Sequence, residues 1–414
     1  MKSKALFILL TTLVCAVAGC GTSRGSQAVN LTDTVSANKG DKNVTVAADT
    51  DVAVKDFSVR LFRESYQEEQ DTLISPVSIL YALGMTANGA DSKTLSQMEA
   101  VFGTDISNLN GYLYQYEQEL PNDESYRLSM ANSIWLKDDE NLEVKKEFLE
   151  TNRAWYDADV YQAPFDGKTL ENINAWVKNH TDGKIEQILD KIPEDAVLYL
   201  INALAFDAKW SETYEAHQVR ESLFTKENGQ KVTKEFLYGE EYQYLEDEQT
   251  TGFIKYYKGN KYAFVALLPK EGITMEEYVQ SLSGEKLDAL LENTESIPVD
   301  TSLPKFEAEY EVEMSDILSS MGMTDAFSPA EANFTRMATA LHNIYIGRVL
   351  HKTNLKVSEE GTEAGAATVV EMLEECAAEE GPQERKTVYL DRPFVYLLID
   401  CDEQLPIFIG TLMK

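Results

Sequence analysis

The sequence predicts an α+β protein with one large domain, because helical patterns gather early in the chain and strand patterns gather late. Before residue 180, apolar residues recur mainly at helical spacing. The run from Ala196 to Phe206 is almost continuously apolar, which is typical of a central strand buried on both faces. No internal repeat or linker interrupts residues 52–414, so we expect a single domain there.

Three amphipathic helices are predicted near the start of this domain by their apolar spacing. They cover residues 52–66, the segment between Pro76 and Asn88, and the segment between Thr94 and Gly103. In the second helix Ser75 is the expected N-cap, and Pro76 suits the first turn. Thr94 and Gln97 have the spacing of a capping box for the third helix.

The remaining elements follow from the same two periodicities. Further helices are predicted at 143–156, 169–179, 275–292 (one or two) and 313–321. Strands are predicted at 127–137, 196–206, 262–268, near 297–312, and at 343–357, 387–391, 394–400 and 406–412. The turn Lys258-Gly259-Asn260 predicts a hairpin leading into the strand at 262–268.

The charge of the chain limits its partners. A formal net charge of −33 on 414 residues argues against nucleic acid, because binding phosphates requires lysine and arginine on one face. An acidic surface instead attracts cationic proteins, or it serves only to keep the chain soluble.

The N-terminus has the features of an export signal. Two lysines precede an apolar run at residues 5–18, which is too short for a comfortable transmembrane helix. The run ends in Val17-Ala18-Gly19-Cys20, which resembles the lipobox of bacterial lipoproteins. We therefore predict a signal peptide at residues 1–19, a lipid on Cys20 and a flexible tether at 20–51. The resemblance implies a protein anchored at the bacterial cell surface or shed from it; the alternative is an ordinary secretory signal with an incidental cysteine.

The cysteines exclude a disulfide framework, although the protein is expected to be exported. Cys15 leaves with the signal peptide and Cys20 would carry lipid. Only Cys376 and Cys401 remain in the domain.

The chain carries none of the common catalytic sequence patterns. The chain has only four histidines, and it has no His-Glu-x-x-His pair, no Cys-x-x-Cys, no nucleophile elbow and no phosphate-binding glycine loop. We therefore predict no catalytic residues, no metal site and no cofactor. An unrecognised hydrolase stays as the third functional hypothesis.

The segment from Glu359 to Met372 is the most informative part of the chain. Its alternate residues are small or apolar: Thr362, Ala364, Ala366, Thr368, Val370 and Met372. The interleaved positions contain Glu363 and Glu371, so a strand here would bury the first set and leave both carboxylates in water. Since strong strand formers are few, the pattern indicates a loop that changes state.

Five motifs in this order resemble the serpin family over residues 52–414. They are Ser75-Pro76-Val77-Ser78-Ile79, Asn174-Ala175-Trp176-Val177 with Thr181-x-Gly183-Lys184-Ile185, the run from Asn202 to Trp210, Glu359-Glu360-Gly361-Thr362-Glu363-Ala364, and Leu390-Asp391-Arg392-Pro393-Phe394-Val395-Tyr396. The resemblance implies helices packed on three β-sheets, with an exposed reactive-centre loop at about residues 359–386.

The resemblance also implies a function. Serpins trap proteases, because the cut loop inserts into the main sheet as a new strand while the protease is still acyl-linked to it. We therefore expect a monomeric inhibitor of an extracellular serine protease rather than an enzyme. The alternative is a non-inhibitory binding protein or chaperone of the same fold, although the hinge of this chain lacks the bulky or charged substitutions usual there.

The family's functional residues carry over by position. The hinge is implied at Glu359, Gly361, Thr362, Glu363, Ala364, Gly365, Ala366, Ala367 and Thr368. The shutter, a hydrogen-bond cluster beneath the sheet, is implied at Ser75, Ser78, Asn202 and His351, and the breach, where the loop enters, at Trp210, Lys305 and Glu359 with a Lys305–Glu359 ion pair. Asp71 departs from the asparagine that the family commonly has.

The target protease is less well specified. Counting from Gly361 places the cut bond at Glu375–Cys376, with Cys376–Ala377 as the alternative because the following stretch is long. Glutamate there suits a glutamyl-specific protease, whereas cysteine or alanine suits an elastase-like one; a cysteine protease is a further alternative. Arg385 would suit a trypsin-like protease, but it lies too far along the chain for a normal insertion length. Cys376 is either a small spacer or an oxidation-sensitive thiol. The acidic loop suggests steering toward a cationic protease.

Overall fold

The computed structural model describes residues 28–36, 45–120, 126–139, 141–181, 183–193, 196–363 and 384–414. The helices in these ranges are α1 (Thr50–Ser65), α2 (Pro76–Ala87), α3 (Ser92–Phe102), α4 (Ile106–Glu119), α5 (Lys146–Tyr156), α6 (Gly167–His180), α7 (Met275–Ser281), α8 (Gly284–Glu292) and α9 (Ser315–Ser320).

The strands follow the same chain order. They are β1 (Val29–Asn30), β2 (Thr72–Ile74), β3 (Tyr126–Lys137), β4 (Glu143–Val144), β5 (Asp159–Ala163), β6 (Leu198–Lys209), β7 (Val219–Thr225), β8 (Lys231–Glu246), β9 (Thr250–Tyr256), β10 (Tyr262–Pro269), β11 (Glu295–Pro304), β12 (Phe306–Glu313), β13 (Ala338–Thr339), β14 (Arg348–Val357), β15 (Gly361–Glu363), β16 (Lys386–Tyr389), β17 (Phe394–Asp400) and β18 (Leu405–Leu412).

The strands form three sheets. One has seven strands in the order β1-β5-β3-β6-β15-β14-β12, with a direct pairing between β6 and β14 as well. The second runs β16-β11-β8-β9-β10-β17-β18-β2, with β7 paired to β8, and the third contains only β4 and β13. The predicted α+β fold with three sheets is therefore confirmed.

Helix α2 occupies the centre of the core. All of its residues are buried, and it contacts both β6 and β18, so it fills the space between the two large sheets. Ser75 caps it and Pro76 begins it, as predicted. Its apolar residues leave no solvated face, as expected for a helix enclosed on all sides.

Strand β6 is buried on both faces, in agreement with its uninterrupted apolar sequence. Leu198 and Leu200 belong to the main core beside α2. Tyr199 and Ile201 point the other way, into a smaller apolar cluster with Ile173 of α6. A strand covered on both sides in this way reads as an apolar run rather than an alternation.

Two predictions about local structure were wrong. Thr94 does not cap α3: the side chain of Asp91 does so, and the buried Thr94 hydroxyl accepts a hydrogen bond from the Asn333 amide at 3.0 Å. The strand expected near 297–312 is two strands in different sheets, because the chain crosses between them at Lys305.

Part of the predicted tether is packed against the domain. β1 extends the edge of the seven-stranded sheet by pairing with β5, and Thr32 is fully buried. Asn30 Nδ2 donates to Asp159 Oδ1 at 2.8 Å. Residues 28–36 are therefore not a free linker.

Within the described ranges we find no helix that is both long and apolar enough to cross a membrane. The predicted signal peptide at residues 1–19 and the predicted lipidation site Cys20 lie outside the described residues.

Candidate functional site at the loop entry of the large sheet

The beginning of the predicted loop is already a strand. β15 lies between β6 and β14 at one end of the seven-stranded sheet. It is antiparallel to both: Gly361 and Thr362 are opposite Lys209 and Ala208, and Thr362 is also opposite Val357. The first loop residues thus separate two strands that would otherwise be neighbours.

Beyond β15 the two flanking strands pair directly. Five residue pairs in parallel register join them, from Arg348↔Tyr199 to Lys352↔Ala203. The seven-stranded sheet is therefore divided by β15 at one end, whereas β6 and β14 pair directly farther along. A strand could lengthen between β6 and β14 only by breaking these five pairings.

Thr362 is anchored inside the entry. It is fully buried, and its hydroxyl shares a hydrogen bond with the hydroxyl of Tyr257. The Tyr257 ring stacks on the Trp210 indole at 4.4 Å between ring centres. A side chain at position 362 must therefore be small and able to enter the core.

The three predicted breach residues converge on this entry. Lys305 Nζ lies 2.8 Å from Glu359 Oε2, and the Trp210 indole N–H donates to the Ser358 carbonyl at 2.9 Å. The hydrogen bond from Lys305 holds the pKa of the Glu359 carboxyl below its ordinary value. Both ends of the ion pair are partly exposed, so it orients the hinge more than it stabilises the fold.

Three of the four predicted shutter residues, Ser75, Ser78 and His351, meet beneath the closed part of the sheet. The Ser75 amide donates to His351 Nε2 at 3.0 Å, the Ser78 amide donates to Ser75 Oγ at 3.4 Å, and all three residues are buried. His351 pairs with Asn202 in the β6–β14 register. Burial lowers the pKa of His351 to about 3, so the ring is neutral at physiological pH.

The departure at Asp71 has a local role. Its Oδ1 accepts a hydrogen bond from the Met413 amide at 2.6 Å, just beyond the end of β18. The carboxylate therefore ties the chain before β2 to the C-terminal strand.

Several predicted loop residues lie outside the described ranges: Ala364, Gly365, Ala366, Ala367, Thr368, and both candidate cut sites formed by Glu375, Cys376 and Ala377. The chain beyond them is fixed at Arg385, whose guanidinium binds Glu240 and lies 2.7 Å from Asp300 Oδ1. Arg385 thus ties the chain just before β16 to β8 and β11.

Sequence reasoning missed four residues around the entry. Tyr257 contacts Thr362, and Tyr214, Lys255 and Glu241 lie behind Trp210. One feature of the sequence could have revealed this cluster. Lys255 interrupts the apolar and aromatic run Phe253-Ile254-Lys255-Tyr256-Tyr257, and a lysine that is buried in such a run needs a charged partner. Among the described residues, no group of three or more His, Cys, Asp or Glu could hold a metal ion.

Curated relatives match most of the chain. A serpin-like protein of Thermococcus kodakarensis is 28% identical and covers 87% of this chain and 85% of its own length. Neuroserpin of Mus musculus is 26% identical over 90% of this chain and 93% of its own length.

Two solved structures share the overall fold. The thermophilic serpin Tengpin in its native state has a TM-score of 0.88 at 44% identity, covering 94% of this chain and all of that one. Its latent state gives a lower TM-score of 0.78 at 41% identity, with 90% and 99% covered. A family model described as serpin (serine protease inhibitor) matches residues 52–414. The chain therefore belongs to the serpin family.

Proposed function

We propose that this protein is a covalent, suicide inhibitor of an extracellular serine protease. The protease attacks the loop, forms an acyl-enzyme, and is carried away when the cut loop inserts between β6 and β14. The observation that carries this proposal is β15, which already occupies the first positions of that gap. Strand addition of this kind would begin from an existing nucleus rather than from a closed sheet.

The register of β15 supports the choice of inward-facing loop residues. Continued in the same antiparallel register, Ala366 would lie between Leu204 and Thr353, and Thr368 between Asn202 and His351. Leu204, Thr353 and His351 are buried, so small side chains are required beside them. The alternation of small residues in the sequence therefore suits insertion as far as the shutter.

The outward positions are also compatible with insertion. Glu363 is opposite Lys356, and in the same register Glu371 would lie between Tyr199 and Arg348. Each position would thus have a cation on β14 as its neighbour, which favours the inserted strand, whereas the buried Tyr199 would partly desolvate a carboxylate at position 371.

Insertion of about fifteen residues at roughly 3.4 Å each would move the attached protease about 50 Å. Deformation of the protease at that point would displace its oxyanion hole, on which deacylation depends. The uncut form must then be held kinetically above a more stable inserted form.

We further propose an elastase-like target, with cleavage at Glu375–Cys376 or Cys376–Ala377. The uncharged residues Cys376 and Ala377 suit a small specificity pocket, whereas Glu375 would suit a glutamyl-specific protease. Arg385 lies too far along the chain for a normal insertion length, and its bonds to Glu240 and Asp300 also argue against it as the primary specificity residue.

A panel of purified proteases tests both proposals. Pancreatic elastase, a glutamyl endopeptidase, trypsin and a papain-type enzyme are each incubated with the full chain. An inhibitor gives a detergent-resistant covalent band with its target, and sequencing the released C-terminal fragment identifies the bond. Cleavage without a covalent band by every enzyme would favour the non-inhibitory binding protein instead.

We also propose that the mature protein is anchored through a lipid on Cys20 at the bacterial surface, or is shed from there. The lipobox-like sequence before Cys20 supports this. Detergent phase partitioning compares the full chain with Cys20→Ser, which should leave the detergent phase. Equal partitioning of the two would contradict lipidation.

A further inference from the structure

We infer that Lys255 and Glu241 are a buried positioning pair that holds the hinge of the loop in the sheet. This inference deepens the proposed function, on which its inhibitory consequence rests. The pair lies behind the breach, and neither residue belongs to the hinge, the breach or the shutter.

The ammonium group of Lys255 is enclosed. The residue is 3% exposed, and its Nζ lies 2.7 Å from Glu241 Oε1. It also lies 4.5 Å from the centre of the Tyr214 ring and 5.4 Å from that of Trp210. A desolvated ammonium needs such a carboxylate and aromatic faces to compensate for lost water.

The two aromatic residues around Lys255 hold three consecutive hinge carbonyls. The Trp210 indole donates to the Ser358 carbonyl at 2.9 Å, and the Trp210 amide donates to the Glu360 carbonyl at 3.0 Å. The Tyr214 amide donates to the Glu359 carbonyl at 2.9 Å. The position of the hinge backbone therefore depends on where Trp210 and Tyr214 are held.

Glu241 completes the arrangement from β8, whereas Lys255 projects from β9. The carboxylate fixes the ammonium, and the ammonium packs against the rings of Trp210 and Tyr214. The Trp210 indole and the main-chain amides of both aromatic residues in turn hold the residues immediately before β15. Because Lys255 is buried and the Glu241 side chain is only 14% exposed, few other geometries would satisfy the two charges. Trp210 also stacks on Tyr257, which bonds Thr362, so the same cluster reaches the first inserted side chain.

The consequence is kinetic. Loop insertion competes with deacylation, and a strand that is already nucleated lengthens faster than one that must first form. Loosening the hinge should therefore divert acylated molecules into simple cleavage. Binding of the protease and attack on the distant bond should not change.

The test uses the double variant Lys255→Met/Glu241→Gln, which removes both charges and leaves neither group buried alone. Its control is Lys55→Met/Asp51→Asn/Asp288→Asn, which removes a second buried lysine on α1 together with both of its carboxylate partners. Lys255→Met alone is measured as well, because it leaves Glu241 unpaired and is expected to be the less stable form.

Hydrogen exchange on the uncut full-length chain is the first measurement. We expect peptides covering residues 355–363 to exchange about tenfold faster in the double variant than in the wild type, and the control to match the wild type. Unchanged exchange in a folded double variant would overturn the inference, whether or not the chain inhibits any protease.

The stoichiometry of inhibition with pancreatic elastase, or whichever protease the wild type traps, is the second measurement. We expect it to rise about threefold in the double variant, while the second-order rate of loop cleavage stays within about twofold of the wild type. An equal rise in the α1 control would show a general loss of stability instead. If the wild type traps no protease, the proposed function fails, and the exchange result alone decides the role of the pair.

Discussion

The backbone of Gly361 touches that of Ala208. A Cβ atom at position 361 would clash with the Ala208 carbonyl oxygen and would lie 2.8 Å from the Cα of Lys209. The first residue of β15 can therefore enter the sheet only without a side chain. This contact links the hinge glycine to a specific residue on β6.

Gly361→Val should prevent β15 from forming and should convert the inhibitor into a substrate. We expect the stoichiometry of inhibition to rise at least about tenfold, because the strand loses its nucleus. Titration of active protease with each protein measures this. Gly167→Ala, at a glycine with open space around it, is the control and should behave like the wild type.

Thr362→Arg should abolish inhibition while the loop is still cut. The wild-type residue is fully buried against Tyr257, and a guanidinium there would be desolvated without a carboxylate partner. Thr362→Ser keeps the hydroxyl and should retain inhibition. A covalent complex formed by the arginine variant would show that position 362 does not enter the sheet.

The neutral His351 should make the folded chain sensitive to acid. The unfolded histidine binds a proton below about pH 6.5, whereas the buried one resists protonation until about pH 3. Stability is therefore full above about pH 6.5 and falls by about 1.4 kcal/mol per pH unit as the pH decreases below it.

Urea unfolding at about pH 7 and pH 5 tests this, with an expected loss of about 2 kcal/mol from His351 alone. His351→Gln retains an acceptor for the Ser75 amide but does not titrate. Its unfolding free energy should therefore fall by about 2 kcal/mol less than that of the wild type between pH 7 and pH 5. His217→Gln, at an exposed histidine, should behave like the wild type. Identical pH dependence in the two variants would contradict the assignment.

Sequence patterns predicted the helices and strands that are covered by the core on every side. β6 has core on both faces and α2 has core all round, so their apolar runs were sufficient. The apolar positions change phase at Lys305, from odd-numbered residues up to Leu303 to even-numbered residues from Phe306. Such a change fits a β-bulge within one strand as well as a crossing between sheets, so the pattern alone could not place the crossing. β1 is only two residues long and left no pattern to find.

The residues of the candidate site also fall into two groups, those that the sequence predicted and those that it did not. Hinge and breach residues were located by their resemblance to a family. Lys255 and Glu241 were not, because a sequence does not show that residues on β8 and β9 meet behind Trp210. Long-range contacts of this kind depend on sheet register, which the order of strands along the chain leaves open.

The rate of association with a cationic protease should fall as salt is added. The chain has a net charge of −33, to which the loop carboxylates up to the exposed Glu384 contribute. We expect about a fivefold decrease in the association rate between roughly 50 and 500 mM salt. Replacing Glu379, Glu380 and Glu384 by glutamine should flatten this dependence, whereas replacing Glu285 and Glu292 on α8 should not. A rate independent of salt would remove the steering hypothesis.

Cutting the loop should raise the melting temperature of the chain. Insertion replaces the five direct pairings of β6 and β14 with a new strand bonded on both sides, and about ten added hydrogen bonds would contribute roughly 10 kcal/mol. At about 1–2 °C per kcal/mol for a chain of this size, the rise should exceed about 10 °C. Calorimetry of intact and loop-nicked protein measures it, with nicked Thr362→Arg as the control that cannot insert. If nicked and intact wild type melt together, the sheet does not accept the loop, and both the inhibitory mechanism and the role of β15 as its nucleus are wrong.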